Sequence, residues 1–387
     1  MARLGDVCTV VSGTTPSSNV PEYWDGDINW ITPAEMTDES GIIYESQRKI
    51  TELAVKKSGL TSFPAGTVLL SSRAPIGKVG IAGVELYCNQ GFKNLICSDT
   101  IYNKFLYWFL VCKKDYLNSL GRGATFKEIS KGIVESIELS LPPMDKQKKA
   151  SEQLDRISTL ISLRKKQLQK LDDLVKARFV EMFGDPVRNT AQLSVLPMTE
   201  VCEIIDGDRG KNYPKQEEFY EKEYCLFLNA KNVTSHGFDF SECMFITKEK
   251  DEMLRKGKLR RGDVVLTTRG TLGNLAFYTD SIPFENVRIN SGMVILRMKK
   301  KLMNERFFIE QFRMQVEDIK KSIASGSAQP QLPISTMNKI IMLLPNMERQ
   351  KEFTDFVSQV DKSKLSIQQG LEKLETLKKS LMQQYFG

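Results

Sequence analysis

Histidine is almost missing from this chain: there is one, His236, among 387 residues. It stands in the turn-like stretch Thr234-Ser235-His236-Gly237. A single imidazole leaves a His-based metal site without partners and removes Ser/His and Cys/His nucleophilic pairs from everywhere else. His236 is therefore read as an incidental loop residue. Phosphate-cradling loops are missing too. Gly77-Lys78 is followed by Val79 and Gly257-Lys258 by Leu259, so no Walker-type lysine loop exists, and no G-x-G-x-x-G occurs. The seven cysteines (Cys8, Cys88, Cys97, Cys112, Cys202, Cys225, Cys243) are odd in number and never spaced C-x-x-C. They read as small buried hydrophobes, with no support for a zinc ribbon or redox motif.

Two enzyme classes that act on nucleic acid lack their signatures as well. An amino-methyltransferase needs an Asn/Asp-Pro-Pro-aromatic turn. The nearest string, Leu141-Pro142-Pro143-Met144, has neither the amide nor the aromatic. No Glu-x-Lys of a common magnesium nuclease occurs. No apolar run approaches the roughly 20 residues of a membrane span. The start, MARLGDVCTVV, lacks the cationic flank and cleavage site of a signal peptide. The sequence therefore predicts a cytoplasmic, non-catalytic protein that binds no cofactor or metal of its own.

What is present is ordinary in bulk and unusual in arrangement. With 41% hydrophobic and 27% charged residues, the chain can bury more than one core. The 55 Lys plus Arg against 48 Asp plus Glu give a net charge of +7, which permits an acidic partner such as nucleic acid without demanding one. No charge run forms a basic arm.

The arrangement is a long repeat. Residues 66–77, GTVLLSSRAPIG, return 196 positions later as GDVVLTTRGTLG, with five identities in twelve. LPPMDKQKK from Leu141 returns 203 positions later as LPNMERQKE from Leu344, with five identities in nine. Weaker echoes fit the same frame: LGDVCTVVSG from Leu4 with MTEVCEIIDG from Met198, and Asn89-Gln90-Gly91 with Asn290-Ser291-Gly292. Both halves close on Phe-Gly. Each copy opens with short runs rich in Val, Ile and Thr, punctuated by Gly, Pro and Asn, followed by a short amphipathic helix, 103–120 in one and 304–323 in the other. That is an α+β globule. After the Leu-Pro punctuation each copy ends in a long helix.

Those two helices carry a heptad seam. In the first it runs through Leu154, Ile157, Ile161, Leu168, Leu171, Val175 and Met182, and in the second through Val357, Val360, Ile367, Leu371, Leu374 and Leu381. Arg164, Arg178, Lys364 and Lys378 interrupt it. An antiparallel register with partner numbers summing to 542 would set Arg164 beside Lys378 and Arg178 beside Lys364. At about 1.5 Å per residue, 38 residues make a rod of about 57 Å, too long for one globule to cover. The expected domains are 1–143, a central helix 144–184, a linker 185–197, a second globule 198–346 and a C-terminal helix 347–387. The expected fold is two similar α+β globules whose helices form an antiparallel coiled coil with pseudo-two-fold symmetry. Such a shape suits the reading of two separated sites on a duplex.

Two variable globules, each carrying G-x-V-x-L-[ST]-[ST]-R-x-x-[IL]-G and each entering its long helix through LPPMDKQK or LPNMERQK, resemble the specificity subunit of a Type I restriction-modification system. YWDGDINWITPAEM from Tyr23 and SGSAQPQLPIS from Ser325 add to the resemblance, which covers essentially the whole chain. It implies two target-recognition domains that each read half of a bipartite double-stranded DNA target, with the coiled coil setting the gap. It further implies two modification subunits supplying S-adenosylmethionine and methyl transfer, and two restriction subunits supplying ATP- and Mg-dependent cleavage. Two readings of other classes stand beside it: a duplicated protein-binding adaptor with a coiled-coil spacer, and an enzyme whose active site carries no familiar motif.

DNA-contact candidates are loop residues able to donate or accept at bases, or to pair with phosphates. In the first copy these are Thr14, Thr15, Ser17, Ser18, Asn19, Thr32, Arg73, Lys78, Asn89, Gln90, Arg122 and Thr125. In the second they are Arg209, Lys211, Asn212, Asn229, Lys231, Asn232, Arg269, Asn274, Asn290, Gln329 and Gln331. Arg73 and Arg269 recur at one repeat position although the two copies should read different sequences, so a phosphate contact or a structural ion pair suits them better than base identity. Gly77 and Gly273 are expected in tight turns. Trp24, Trp30 and Trp108 are expected in the core, since no cluster of interleaved basic and aromatic residues accompanies them.

Overall fold

The computed structural model describes the chain apart from residues 38, 74, 124–126 and 325–330 and the side chains of residues 322 and 324. It divides into two compact units, residues 1–166 with 368–387, and residues 167–367. Each unit thus holds one globule, the near part of the helix that follows it, and the far part of the other long helix.

In the first unit a single helical turn, α1 (Leu4–Val7), feeds β1 (Cys8–Ser12). There Cys8 and Val10 are buried while Thr9 between them is exposed, the period-two pattern of a strand with one wet face, which ends at exposed Ser12. Then follow β2 (Trp24–Ile31), β3 (Glu39–Ile43), β4 (Val68–Leu70), β5 (Val79–Ala82), β6 (Lys93–Cys97), α2 (Asn103–Cys112) and α3 (Lys114–Leu120). The main sheet has the order β1-β6-β4-β5-β3, antiparallel except for the parallel edge pair β3/β5. A small second sheet is built on β2, which pairs antiparallel with Lys49–Ile50 and parallel with Tyr87–Cys88.

The second unit repeats the plan. The turn α5 follows the long helix α4 (Met144–Phe183) and spans Met198–Val201. Next come β7 (Cys202–Asp206), β8 (Cys225–Leu228), β9 (Val264–Thr267), β10 (Leu275–Phe277), β11 (Val287–Ile289), β12 (Met293–Met298), α6 (Glu305–Ala324) and the second long helix α7 (Met347–Phe386). Its main sheet is β7-β12-β9-β10. Its small sheet is again built on one strand, β8, antiparallel to Phe245–Ile246 and parallel to β11. The echo LGDVCTVVSG/MTEVCEIIDG is thus a shared turn-then-strand, and the twelve-residue repeat is a shared strand-turn-strand.

The helix expected over 103–120 as one amphipathic piece is two pieces that part at Lys113. The reason is burial. Phe105 through Leu110 are six consecutive buried residues, so α2 is enclosed on all sides, whereas α3 buries only Leu117 and lies on the surface.

The LPPMDKQKK/LPNMERQKE repeat has a specific job. Gln147 donates to the carbonyls of Thr100 (3.0 Å) and Pro142 (2.8 Å) and accepts from the Tyr102 amide (2.8 Å). Gln350 does the same with Leu302 (2.9 Å), Pro345 (2.9 Å) and the Asn304 amide (2.9 Å). Each buried amide ties the first turn of a long helix to the loop that starts α2 or α6. Replacing either glutamine by alanine removes the partner of three backbone groups whose bonds are largely shielded from water. At about 1–3 kcal/mol for each unsatisfied group before relaxation, urea unfolding should register a loss of about 2 kcal/mol or more, confined to the unit concerned.

Within each unit the two helical segments run antiparallel. In the first, Gln153 meets Tyr385, Lys165 meets Glu375 (3.1 Å), and Leu154 shares a core with Phe386. In the second, Asp172 meets Lys364 (2.6 Å) and Arg178 meets Glu352 (3.1 Å). None of these pairs keeps the register that sums to 542, and the expected Arg178–Lys364 pairing is replaced. The cause is charge: the register places carboxylates beside the cations that interrupt the seam. Lys378 likewise bonds Glu39 (2.6 Å) and lies over the Trp108 ring, 4.9 Å from its centroid. All thirteen seam residues are buried or half-buried, while the off-seam Leu160, Leu163, Leu174 and Leu365 are exposed. The second unit adds a knot of rings that the seam pattern omits: Phe179, Phe183, Phe307 and Phe353, with centroids 5.0–6.1 Å apart.

Candidate nucleic-acid interface

Four backbone stretches meet in the first unit. The strand-turn-strand repeat folds on Ser71, whose hydroxyl donates to the Pro75 carbonyl (2.7 Å) and accepts from the Lys78 amide (2.8 Å), with Gly77 at φ +92° closing the turn. Ser72 then takes the loop 89–91 on one side, its amide donating to the Gly91 carbonyl (2.7 Å). On the other side its carbonyl accepts from the Ile129 amide (3.0 Å). Asn89 caps its own loop by accepting from the Gly91 amide (2.9 Å). The fourth stretch, 13–20, leaves the end of β1 across Gly13, and the Thr14 amide donates to Cys88 (2.9 Å).

The second unit builds the same frame with its own residues. Thr267 replaces Ser71, accepting from the Asn274 amide (3.0 Å) and donating to Thr271, with Gly273 at φ +90°. The Thr268 amide donates to Gly292 (2.8 Å), its carbonyl accepts from the Leu332 amide (3.0 Å), and Asn290 caps Gly292 (2.9 Å). Gly207 stands where Gly13 does.

Those two glycines are required by distance. A Cβ on Gly13 would lie 2.1 Å from the Asn89 carbonyl oxygen, and one on Gly207 would lie 2.2 Å from that of Asn290. Backbone cannot yield to that extent, so Gly13→Ala or Gly207→Ala must push the following loop away. We expect a cost of about 1–3 kcal/mol and a shift of loop amide signals in that unit alone, checked by melting and by NMR.

Several candidate side chains are held by the frame itself. Thr32 caps a short turn with Glu35, both its amide and hydroxyl donating to one carboxylate oxygen at 2.9 Å, and Lys78 donates to the Pro33 carbonyl (2.8 Å). Asn232 is buried and bonded to Asp239 and Glu242, Asn274 donates to Val233 (2.9 Å), and Asn229 caps Lys231 (2.8 Å). Asn212 donates to Met253 (3.2 Å), and Lys231 pairs with Glu242 (2.7 Å) on the surface. The hydroxyl of Thr15 donates to Gln90.

The exposed polar heads on the frame are Thr14, Ser17, Ser18, Asn19, Gln90 and Arg122 in the first unit, and Arg209, Lys211, Arg269 and Gln331 in the second. Thr125 and Gln329 lie outside the described residues. The recurring arginines differ. Arg73 reaches Glu128 at 4.0 Å, a carboxylate shared with buried Lys93 at 3.1 Å. Arg269 is exposed and has no hydrogen bond or ion pair among the described residues. Arg209 leans on Asp206 (3.2 Å) and on the Ser291 carbonyl (3.2 Å), bridging two frame loops.

Residues absent from the candidate set do essential ordering. Buried Asp208 accepts from the Gly210 and Arg255 amides, each at 2.7 Å. Burial alone would raise its carboxyl, but those bonds outweigh it and hold it below the usual range. Glu128 does related work for Arg73 and Lys93. No sequence signal marked Asp208. Gly13 and Gly207 were signalled weakly, as the last residues of the LGDVCTVVSG echo. Beside the turn in the second unit opens a cleft of about 630 Å³, with Lys231, Asn274 and Lys320 among its lining. Trp30 and Trp108 are buried, and the indole of Trp108 donates to Asp155 (2.9 Å). Among the described residues no group of three or more His, Cys, Asp or Glu could hold a metal ion, and no helix is long and apolar enough to cross a membrane.

Comparison with known proteins places this geometry in a family context. The model for the Type I restriction modification DNA specificity domain matches residues 1–173 and again 194–378. The Type I restriction enzyme MjaIX specificity subunit of Methanocaldococcus jannaschii is 30% identical over 367 residues, covering 90% of this chain and 84% of that one. The MjaVIII specificity subunit of the same organism is 24% identical over 405 residues, covering 99% and 90%. The crystal structure of the Type I S subunit from M. genitalium aligns over 100% of this chain and 95% of that one, with a TM-score of 0.57 at 16% identity. A chain from a structural study of complex assembly and conformational transition of the type I R-M system aligns over 100% and 96%, with a TM-score of 0.59 at 16% identity.

Proposed function

The chain belongs to the Type I restriction-modification DNA specificity family, as a specificity subunit with two recognition domains, and from that membership we propose that each unit reads one half of a split DNA target through its four-stretch frame. One observation supports this reading above the others. Both units spend the same positions on the same frame, Gly13/Gly207, Ser71/Thr267, Gly77/Gly273 and Asn89/Asn290, while the side chains beside them differ, exposed Gln90 against half-buried Ser291 and half-buried Glu128 against exposed Gln331. A constant frame with exchangeable heads is what two readers of different sequences require.

Arg73, Arg122, Arg209, Lys211 and Arg269 serve phosphates in this reading, and Thr14, Ser18, Asn19, Gln90 and Gln331 serve base edges. Methyl transfer from S-adenosylmethionine belongs to two modification subunits. ATP-driven, Mg-dependent cleavage belongs to two restriction subunits, and the assembly works in the cytoplasm. The long helices fix the gap between half-sites.

Selection from random duplex pools by the full chain with its modification partner tests the proposal. One split motif with a fixed gap is expected. Exchange of residues 1–140 for those of another family member should change one half-site and leave the other. No enrichment would favour the adaptor reading, and turnover by the isolated chain would refute a purely recognising role.

A further inference from the structure

Two of the seven cysteines face each other. In the ladder between β1 and β6, Cys8 is the direct partner of Cys97. The flanking pair, Val7 and Ser98, is joined by a Ser98 amide to Val7 carbonyl bond (3.0 Å). Hydrogen-bonded and non-hydrogen-bonded pairs alternate in an antiparallel ladder, so Cys8 and Cys97 occupy a non-hydrogen-bonded pair. There the Cα atoms approach to about 4.5 Å and the side chains stand closest. That separation lies within the range a disulfide spans, about 4.4–6.8 Å. Cys8 is buried and Cys97 half-buried, so Cys97 is the more accessible of the two. Among the described residues no other two cysteines are ladder partners: Cys88 faces Ile31, Cys225 faces Ile246 and Cys202 faces Met298.

We propose that Cys8 and Cys97 form a reversible oxidation site, closed to a cross-strand disulfide by hydrogen peroxide, in the first unit only. The Cys97 thiolate attacks one peroxide oxygen, the O–O bond breaks, and Cys97 sulfenic acid and hydroxide result. The hydroxide takes the proton of Cys8. The Cys8 sulfur then attacks the Cys97 sulfur and expels a second hydroxide, which the proton first lost by Cys97 converts to water. Two thiols and one peroxide give one disulfide and two waters.

The ionisation of the pair runs in the direction this needs. A hydrogen bond from Cys8 pulls the Cys97 thiol down against the opposing effect of burial, while Cys97 and burial hold Cys8 protonated. The second unit supplies an internal control, because Met298 stands opposite Cys202 where Cys97 stands opposite Cys8. Bridging would staple the two strands of the first unit whose far ends carry Gly13 and Lys93, two supports of its frame. The site is independent of the DNA-reading proposal.

The test treats the full-length chain with hydrogen peroxide at a dose that converts exposed Met253 to its sulfoxide, then alkylates under denaturing conditions and maps peptides by mass. Alkylatable thiols should fall from seven to five, with a Cys8–Cys97 linked peptide that dithiothreitol removes. Cys97 should be consumed at least about tenfold faster than half-buried Cys243, which lacks a thiol neighbour. Cys97→Met, which copies the pairing already present in the second unit, should keep all its remaining thiols. Seven thiols surviving that dose, a linked peptide joining any other cysteines, or a bridge between two chains would each overturn the proposal.

Discussion

Asp251→Ala should lower the melting temperature of the second unit by about 6–20 °C, a loss of about 3–5 kcal/mol in a unit of this size. Asp251 is 2% exposed and Arg288 is 5% exposed. The guanidinium bonds the Asp251 carboxylate through Nε and three carbonyls besides: Asp251 (2.7 Å), Leu254 (3.0 Å) and Lys256 (2.7 Å). Lys258 closes the cluster on the other carboxylate oxygen at 2.5 Å. Removing the carboxylate leaves a buried cation with carbonyl partners but no opposite charge. A fold stable by about 5–15 kcal/mol cannot absorb much of that. The first unit, which has no such cluster among its described residues, should melt unchanged by calorimetry. Replacing both partners by methionine should restore most of the loss, because the cost lies in the stranded charge and not in the absent pair. A shift no larger than that of Lys231→Ala, on the exposed pair with Glu242, would show that the cluster contributes nothing.

The same carboxylate sets an acid limit. Burial would raise Asp251, but the bonds from Lys258 and Arg288 outweigh it and hold it below the ordinary value. A carboxyl depressed in the folded state contributes stability that is complete above its unfolded value, about 3.9. That stability is lost as pH falls through the folded value. The second unit should therefore lose stability below about pH 4, and the Asp251→Ala variant should lose less of it there.

What the sequence reveals and what it hides divide along a physical line. A repeat makes itself legible wherever the same backbone task recurs. The turn closed by Gly77 and Gly273 and the helices over Met144–Phe183 and Met347–Phe386 could all be placed from the residues alone. The seam was legible because heptad spacing needs only one helix at a time. The register was not, since it depends on which carboxylates the neighbouring segment offers to Arg178 and Lys364. Contacts without a repeated partner stay hidden: Asp251 and Arg288 are 37 positions apart and have no counterpart in the first half. Among the interface candidates, residue type alone could not separate Asn232, buried and spent on two carbonyls, from Asn19, exposed on its loop. Asparagine suits both tasks, and only burial decides.

Inserting one heptad into each long helix, beside Leu168 and Leu371, should abolish recognition of the original target and create recognition of the same half-sites at a wider gap. These points lie within four residues of the places where the chain passes from one compact unit to the other, after Lys166 and after Ile367, so neither globule is disturbed. Seven residues preserve the seam phase and add about 10 Å of helix, close to three base steps at about 3.4 Å each. On the original target one half-site at a time can be engaged, and affinity should fall toward the nonspecific level, by about 10³-fold or more. On duplexes with the gap widened by a few base pairs it should return. Three inserted residues instead of seven would break the heptad phase across the junctions, between Ile161 and Leu171 and between Ile367 and Leu374, while Val175 and Val357 stay packed within the second unit. The helix lost there is read by circular dichroism, which separates it from a gap effect. Half-sites that change while the gap stays fixed would show that the helices do not set the spacing.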